Sequence, residues 1–264
     1  MYKLQSFRAD DVAITSMYGD RTASNCCAYF LSYVTKSANI IDIGCGPGII
    51  TSDLAALARS GQTIGIDASE GVIAQARSRS SALHLPNLSF SVGNATNLNA
   101  YADNTFDIVH CHQLLVHVPS PVKILKEFHR ICKPGGIIAC REIVSSVPPK
   151  LKPDLPALRA YWNRCLTLIK KTGSNAEAGR DLETWAKEAG LEANGGKLIV
   201  STSLMGNPSH LPQVSGGTGT KSFLSGVASE EEFAVWKEAW EQWEATEGHE
   251  FAFECGEILC FKGE

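Results

Sequence analysis

A glycine-rich segment and a downstream carboxylate are the residues whose spacing best defines a chemistry. The segment 42–48 (DIGCGPG) follows an apolar run, and Asp67 closes the next apolar run along the chain. Glycines at a strand-to-helix turn accept positive φ and remove side chains, so that a ligand can lie against the backbone. A carboxylate roughly 20 residues further on has the spacing at which a second strand accepts both ribose hydroxyls. The two features predict a nucleoside-containing ligand.

The register of the glycines separates two kinds of nucleoside cofactor. A dinucleotide fingerprint needs a third glycine three residues after Gly46, but Ile49 occupies that position and Pro47 stiffens the loop. Binding of a pyrophosphate is therefore disfavoured, and we expect a cofactor without one.

The elements that must position these residues alternate between short β-rich runs and helical patterns. We predict strands at 40–43, 63–67, 88–92, 106–112 and 137–142, and intervening helices that begin at Ile49, Ser69 and Pro121. This alternation is typical of a parallel sheet with helices on both faces. Because ligands bind beyond the carboxyl ends of such strands, the polar residues there are candidate site residues: His112, His117 and Glu142. His110 and Asp107 lie earlier in the fourth strand, and we expect them to be hydrogen-bonded core groups.

The second half of the chain has a different texture. A proline-rich connector at 147–153 is expected to lead out of the sheet. It is followed by predicted helices at 155–172 and 181–189, a strand at 197–204, a glycine-rich candidate lid at 206–220 and a last strand at 251–261 interrupted at Gly256. Ser229 and Glu232 form a capping box that opens a helix with an aromatic stripe, for which packing is favoured over substrate contact. We expect one domain over 1–264, with a cofactor-binding core at 36–145, cap segments at 1–35 and 146–250 and a closing strand at 251–262.

These motifs together resemble those of the class I S-adenosylmethionine-dependent methyltransferases. Segment 92–95 (VGNA) is similar to the adenine-binding turn of that family, 106–109 (FDIV) to its fourth strand and 125–136 to its helix and Lys-Pro-Gly-Gly turn. The resemblance covers about residues 15–145, and only the combination of motifs is specific. It implies an α/β, Rossmann-like, seven-stranded and mostly parallel sheet with helices on both faces and a helical cap, and S-adenosyl-L-methionine as cofactor.

The resemblance also implies a set of cofactor-binding residues: Arg21, Asp42, Gly44, Cys45, Gly46, Gly48, Asp67, Ala68, Asn94, Ala95, His112 and Gln113. Arg21 is a candidate for the methionyl carboxylate, since guanidinium binds carboxylate bidentately, and the alternative is a surface arginine near a helix start. Asn94 stands where the family usually has an aspartate. Its amide could pair with the adenine amine without a charge-assisted bond, or it could only shape a turn.

Shorter segments suggest a subgroup. Residues 21–25 (RTASN), 111–117 (CHQLLVH) and 141–142 (RE) are similar to ubiquinone-biosynthesis-type enzymes and to fungal secondary-metabolite thiol methyltransferases of the gliotoxin type. This implies methyl transfer to a small organic acceptor: a thiol, or an oxygen, nitrogen or carbon nucleophile. His112, His117 or Glu142 could serve as the base, although positioning alone supplies about 7–11 kcal/mol in well-oriented reactions. The alternatives are a cofactor-binding scaffold or cyclisation enzyme that does not methylate, and a nicotinamide-dependent oxidoreductase.

Composition limits the partners. With 24 basic and 28 acidic residues, the chain has no electrostatic footprint for nucleic acid or an anionic membrane, and its apolar runs are too short to span a bilayer. The nine cysteines are odd in number and contain no C-x-x-C pair. We expect reduced thiols, no metal, a cytoplasmic monomer or homodimer, and a small-molecule substrate.

Overall fold

An eight-stranded sheet forms the centre of the computed structural model, which describes residues 21–206, 224 and 226–264. Its strands are β1 (Ile40–Ile43), β2 (Thr63–Asp67), β3 (Leu88–Val92), β4 (Phe106–His112), β5 (Cys132–Ile143), β6 (Lys150–Lys152), β7 (Lys197–Gly206) and β8 (Glu250–Phe261). The order β3-β2-β1-β4-β5 is parallel throughout, and β8 pairs antiparallel with β5, β6 and β7. The predicted Rossmann-like, mostly parallel sheet is confirmed, with β6 added as a short extra strand.

Helices cover both faces of this sheet. They are α1 (Ala23–Cys26), α2 (Ala28–Leu31), α3 (Ile49–Leu57), α4 (Glu70–Ser80), α5 (Pro121–Ile131), α6 (Pro156–Lys171), α7 (Ala178–Glu188) and α8 (Glu230–Glu244). Helices α5 and α7 pack on one face, whereas α1, α2 and α3 pack on the other. All four residues of β1 are buried, which explains why that strand is apolar except for Asp42.

The proline-rich connector does not leave the sheet at once. Lys150–Lys152 pairs with Glu250–Ala252 of β8 as the short strand β6. Proline has no N–H for a strand ladder, and here the prolines at 148, 149 and 153 flank the paired residues instead of lying among them.

The predicted interruption of the last strand at Gly256 is wrong, because β8 is continuous from Glu250 to Phe261. Gly256 is needed for packing: a Cβ built on it would lie 1.8 Å from the carbonyl oxygen of Gly179 in α7. Helix α7 therefore lies against the sheet, and its Leu182 and Ala186 are buried in the sheet core. This helix packs directly on the sheet, and β7 is one of the sheet's strands, although both fall within the 146–250 segment expected to form the cap.

The remaining cap elements, α6 and α8, pack together through an aromatic cluster. The capping box of Ser229 and Glu232 is present, and the stripe residues Phe233, Trp236, Trp240 and Trp243 are all buried. Tyr161 of α6 makes edge-to-face contacts with Trp236 and Trp240. The favoured packing role of the stripe thus agrees with the geometry, while the candidate lid at 206–220 lies, beyond Gly206, outside the described residues.

Two further features concern the described residues as a whole. All nine cysteines are free and buried. None of the helices in the described ranges is both long and apolar enough to cross a bilayer.

Candidate active site

The glycine segment forms a turn at the carboxyl end of β1. Gly44, Gly46 and Gly48 have φ values of +74°, +54° and +78°, as the turn chemistry requires. A Cβ on Gly48 would lie 2.6 Å from the ring of Phe90, whereas a Cβ on Gly46 would meet no atom within 4 Å. Gly48 is thus needed for packing against β3, and Gly46 faces open space in which a ligand could lie.

Asp67 is tied to this turn. Its Oδ2 accepts the N–H of Gly46 at 3.2 Å, and its Oδ1 accepts the N–H of Ser69 at 3.0 Å. Burial raises the pKa of the Asp67 carboxyl, although the backbone donors of Ser69, Gly46 and Ala68 oppose that shift. The structure therefore brings the acidic end of β2 beside the glycine turn, at the edge predicted for a ribose.

Asp42 lies beneath the turn. Its Oδ1 is 2.7 Å from Nδ1 of His110, and its Oδ2 accepts the Thr51 hydroxyl at 2.5 Å. Nε2 of His110 in turn lies 3.6 Å from Sγ of Cys27, so His110 is a hydrogen-bonded core group as expected. Asp42 is buried, and both of its carboxylate oxygens have partners inside the protein, which favours a role in holding the turn over direct contact with a cofactor.

The other predicted core group of β4, Asp107, is hydrogen-bonded but not buried. It accepts the N–H of Asn39 at 2.8 Å and pairs with Lys133 at 2.7 Å, and 38% of its side chain is exposed. It lies at the beginning of β4, on the edge opposite to the glycine turn.

Asn94 follows β3 in an exposed turn. Its Oδ1 accepts both the backbone N–H and the hydroxyl of Thr96, each at 2.9 Å. The turn-shaping role is therefore present. Asn94 and Ala95 still border the carboxyl edge of the sheet beside Gly93, whose N–H donates to the backbone carbonyl oxygen of Asp67 at 2.9 Å.

His112 ends β4, and Gln113 follows it. His112 is buried, and within the described part of the chain neither of its ring nitrogens has a hydrogen-bond partner. Burial, reinforced by the charge of Arg21, lowers the His112 pKa well below its usual value, so the ring is neutral. Gln113 has φ +53°, and its N–H bonds the carbonyl of Arg141 at 2.8 Å. An unpaired buried imidazole at a ligand edge is a group that a bound molecule could satisfy.

Glu142 supports the loop that follows. Its Oε1 accepts the N–H groups of Leu114 at 2.9 Å and Leu115 at 2.7 Å, and its Oε2 accepts that of Val116 at 3.2 Å. Complete burial raises the Glu142 pKa to about 8. With both oxygens bonded to backbone, Glu142 is placed as a positioning residue for the loop.

His117 is the last residue of a short 3₁₀ turn, Leu115–His117, whose first two N–H groups donate to the carboxyl group of Glu142. Burial, with a smaller effect of Arg21, lowers its pKa to about 4. The charge of Arg21 also acts on Glu142, which brings Arg21 to the same region as both histidines. The predicted residues from all five parallel strands and from the N-terminal segment thus gather at one edge.

Three residues with structural roles at this site were missed by sequence reasoning. The Leu114 side chain fills the space beside Gly44, where a Cβ would lie 3.0 Å away. Asp53 accepts the N–H of Ala23 at 2.8 Å, and Arg141 donates to the carbonyls of Asn25 and Cys26. Leu114 and Arg141 lie in the segments 111–117 and 141–142 that carry the resemblance, but the structural role of all three residues has no local signal because each partner is distant in sequence.

The groups at this edge fit a nucleoside cofactor. An open glycine turn, a carboxylate beside it and a neutral buried imidazole are the groups observed at this edge. In the described ranges, no cluster of three His, Cys, Asp or Glu side chains is placed to hold a metal ion. Fold and site together define a nucleoside-cofactor-binding protein of the Rossmann-like class.

Comparison with known proteins identifies the family. Residues 34–190 match a family model described as a methyltransferase domain. An uncharacterized methyltransferase of Schizosaccharomyces pombe is 36% identical over 188 residues, covering 68% of this chain and 66% of that protein. A probable methyltransferase of Aspergillus luteorubrus is 35% identical over 190 residues, covering 69% and 67%. The chain belongs to the methyltransferase domain family, and the predicted class of S-adenosylmethionine-dependent methyltransferase is confirmed at that level.

The fold is also found in a solved structure. A phosphoethanolamine N-methyltransferase of Haemonchus contortus, crystallised with S-adenosyl-L-methionine, has a TM-score of 0.59 at 17% identity, covering 96% of this chain and 56% of that one. This likeness extends to the fold. The matched segments span about two thirds of the two fungal relatives.

Proposed function

We propose that this protein transfers the methyl group of S-adenosyl-L-methionine to a small organic acceptor. The observation that carries the proposal is the bond from Gly46 N–H to the Asp67 carboxylate, which joins the glycine turn to the acidic strand end. A ribose edge beside Asp67 and a backbone-lined surface at Gly46 are the features that a nucleoside cofactor uses.

Some of the site residues would contact the cofactor, and others would hold those residues in position. Asp67 is only half-buried, unlike Asp42 and Glu142, and each of its carboxylate oxygens can accept a second hydrogen bond, so it would accept the ribose hydroxyls. Asn94 and Ala95 would border the adenine. Arg21 would pair with the methionyl carboxylate. Asp42 and Glu142 would hold the turn and the loop after β4. The cofactor, when bound, supplies an electrophilic methyl group on a sulfonium.

A thiol is the acceptor that this site favours. The pKa values of His112 and His117 are both lowered, so these rings are neutral but weak bases. A weak base does little for an alcohol, whereas a thiol with pKa near 8.5 provides some thiolate unaided. Oxygen and nitrogen acceptors remain as the alternatives within the same reaction.

The cofactor is tested by calorimetry with S-adenosyl-L-methionine and its demethylated product. We expect Asp67→Ala to weaken binding at least tenfold, as the loss of a bidentate ribose contact implies, while Asp107→Ala, which alters a carboxylate at the opposite edge, leaves it unchanged. Equal affinity of wild type and Asp67→Ala would count against the ribose site.

The reaction is tested with radiolabelled cofactor and a panel of thiol, phenol and amine acceptors. Label in a methyl thioether formed from a thiol acceptor supports the finer proposal, and label only in products of the phenols or amines assigns a different acceptor. Cofactor binding without label in any acceptor favours the non-methylating alternative, a scaffold or cyclisation enzyme.

A further inference from the structure

Helix α1 is held at both ends by side chains from the cofactor half of the protein. At its first residue, Oδ2 of Asp53 accepts the N–H of Ala23 at 2.8 Å. At its last turn, Nη1 of Arg141 donates to the carbonyl oxygens of Asn25 at 3.2 Å and Cys26 at 3.3 Å. A helix of four residues makes few bonds of its own, so these external contacts fix its position.

Arg21 directly precedes the N-cap residue of this helix. Thr22 is the N-cap residue, and it forms a reciprocal capping box with Asn25. Only Thr22 separates Arg21 from Ala23, the residue that Asp53 holds. The positive charge of Arg21 contributes to the lowered pKa values of His112 and His117 at the carboxyl edge of β4. The Asp53 contact therefore fixes the backbone two residues after Arg21, whose charge acts on this edge of the sheet.

Helix α3 contacts both the glycine turn and the segment that contains Arg21. In α3, Thr51 bonds Asp42 beneath the glycine turn, and Asp53, two residues later, bonds Ala23. The glycine turn and the Arg21 segment are thus both hydrogen-bonded to helix α3, which begins directly after Gly48.

We propose that Asp53 is a positioning residue for cofactor binding, which orders the Arg21 segment through the Ala23 N–H so that the guanidinium meets the carboxylate of the methionyl group. The inference rests on the proposed function, since that carboxylate belongs to S-adenosyl-L-methionine. Its benefit is preorganisation: a segment already fixed does not have to be ordered when the ligand binds.

A double-mutant cycle tests this coupling. The affinity for S-adenosylhomocysteine is measured by calorimetry for wild type, Asp53→Ala, Arg21→Ala and the double variant. We expect Asp53→Ala to weaken binding about tenfold, which is the scale of ordering one long side chain. In the Arg21→Ala background, the same change should have no further effect. Losses that multiply in the double variant would overturn the proposal, as would unchanged affinity in Asp53→Ala.

Two controls separate positioning from general destabilisation. Asp53→Asn keeps an oxygen that accepts the Ala23 N–H, so it should restore the affinity. Asp107→Ala removes a carboxylate that also accepts a backbone N–H at 2.8 Å, but at the opposite edge. It should lower the melting temperature without changing the affinity. If Asp107→Ala weakens binding as much as Asp53→Ala, the effect is not specific and the inference is wrong. Absence of binding to wild type overturns the proposed function as well, whereas additive losses overturn the positioning role alone.

Discussion

Oε1 of Glu142 accepts the backbone N–H of Leu115 at 2.7 Å, so the end of β5 holds the loop that leaves β4. The same carboxylate accepts the N–H groups of Leu114 and Val116. Three donors of one turn thus depend on one buried side chain. Because His112 precedes this turn and His117 ends it, Glu142 links the stability of the fold to the placement of both histidines.

Glu142→Ala should strongly destabilise the protein. It leaves three backbone donors without their partner in a buried environment, and each orphaned donor costs about 1–3 kcal/mol, less where water enters the space. We expect the free energy of unfolding to fall by about 3 kcal/mol in urea denaturation. A loss below about 1 kcal/mol would show that the loop does not depend on Glu142.

The depressed pKa of His117 makes stability depend on pH. The folded-state pKa is about 4 and the ordinary value is 6.5, so between these values the unfolded chain binds a proton that the folded protein excludes. The contribution to stability is present above pH 6.5 and is lost as the pH falls from 6.5 towards 4.

His117→Gln removes this titration. The unfolding free energy of the variant, measured in urea at half-unit pH steps, should fall less steeply below pH 6.5 than that of wild type. Parallel pH profiles for the two proteins would mean that His117 does not have a lowered pKa in the folded state.

Local sequence patterns were sufficient for β1 to β4 and for part of the site, whereas β5 begins at Cys132, five residues before its predicted start at Ile137. Strand β1 has the predicted boundaries because a buried parallel strand is a near-continuous apolar run, and all four of its residues are buried. Strand β3 has them because apolar and polar residues alternate along it, with only Phe90 buried. The glycine turn and Asp67 were recognisable because they are fixed to consecutive strand ends. The glycine turn and Asp67 are only about 20 positions apart in the sequence, so their spacing alone indicates a nucleoside site.

The role of Glu142 could not be predicted in this way. An acidic residue at a strand end can be a base or a structural acceptor. The choice depends on where donors such as the Leu115 N–H lie, and that residue is separated from Glu142 by 27 positions. The same limit applies to Asp53, whose partner Ala23 lies 30 positions earlier. Side-chain-to-backbone bonds of this range leave no periodic signal.

The weakly basic histidines predict a simple pH dependence for a thiol acceptor. With the pKa values of His112 and His117 both lowered, neither ring titrates near neutrality. Glu142 has a pKa raised to about 8, but both of its oxygens are bonded to backbone N–H groups of the loop after β4. The rate at subsaturating thiol should therefore follow ionisation of the acceptor. It should rise about tenfold per pH unit below the thiol pKa of about 8.5 and then level off. Single-turnover assays from pH 6 to 9 would measure this, and a rising limb that levels off near 6.5 would instead indicate a histidine base whose pKa is not lowered.

Two glycines of the turn should respond differently to a methyl group. At Gly48, alanine adds a contact of 2.6 Å with Phe90 to the cost of a positive φ, so we expect a loss of about 3 kcal/mol in stability. At Gly46 the added methyl meets open space, so the loss in stability should be about 1 kcal/mol.

Cofactor affinity distinguishes the two variants further. If the cofactor lies against Gly46, the methyl group occupies its place, and Gly46→Ala should weaken binding of S-adenosylhomocysteine more than tenfold in calorimetry, the scale of an unrelieved steric contact. Wild-type affinity in this variant would contradict contact between the cofactor and Gly46.

Gly256→Ala should destabilise the protein more than substitution of an ordinary strand glycine. Its Cβ would lie 1.8 Å from the carbonyl oxygen of Gly179, a backbone atom that cannot rotate away, so α7 must separate from β8. Because α7 buries Leu182 and Ala186 against the sheet, that movement opens the core, and we expect a loss of more than about 3 kcal/mol in urea denaturation. Gly206→Ala is the matched control: its Cβ would make an ordinary contact of 3.7 Å with the carbonyl of Phe251, so its stability should stay within about 0.5 kcal/mol of wild type. Equal stability of the two variants would mean that α7 does not approach β8 as closely as the Gly179–Gly256 contact requires.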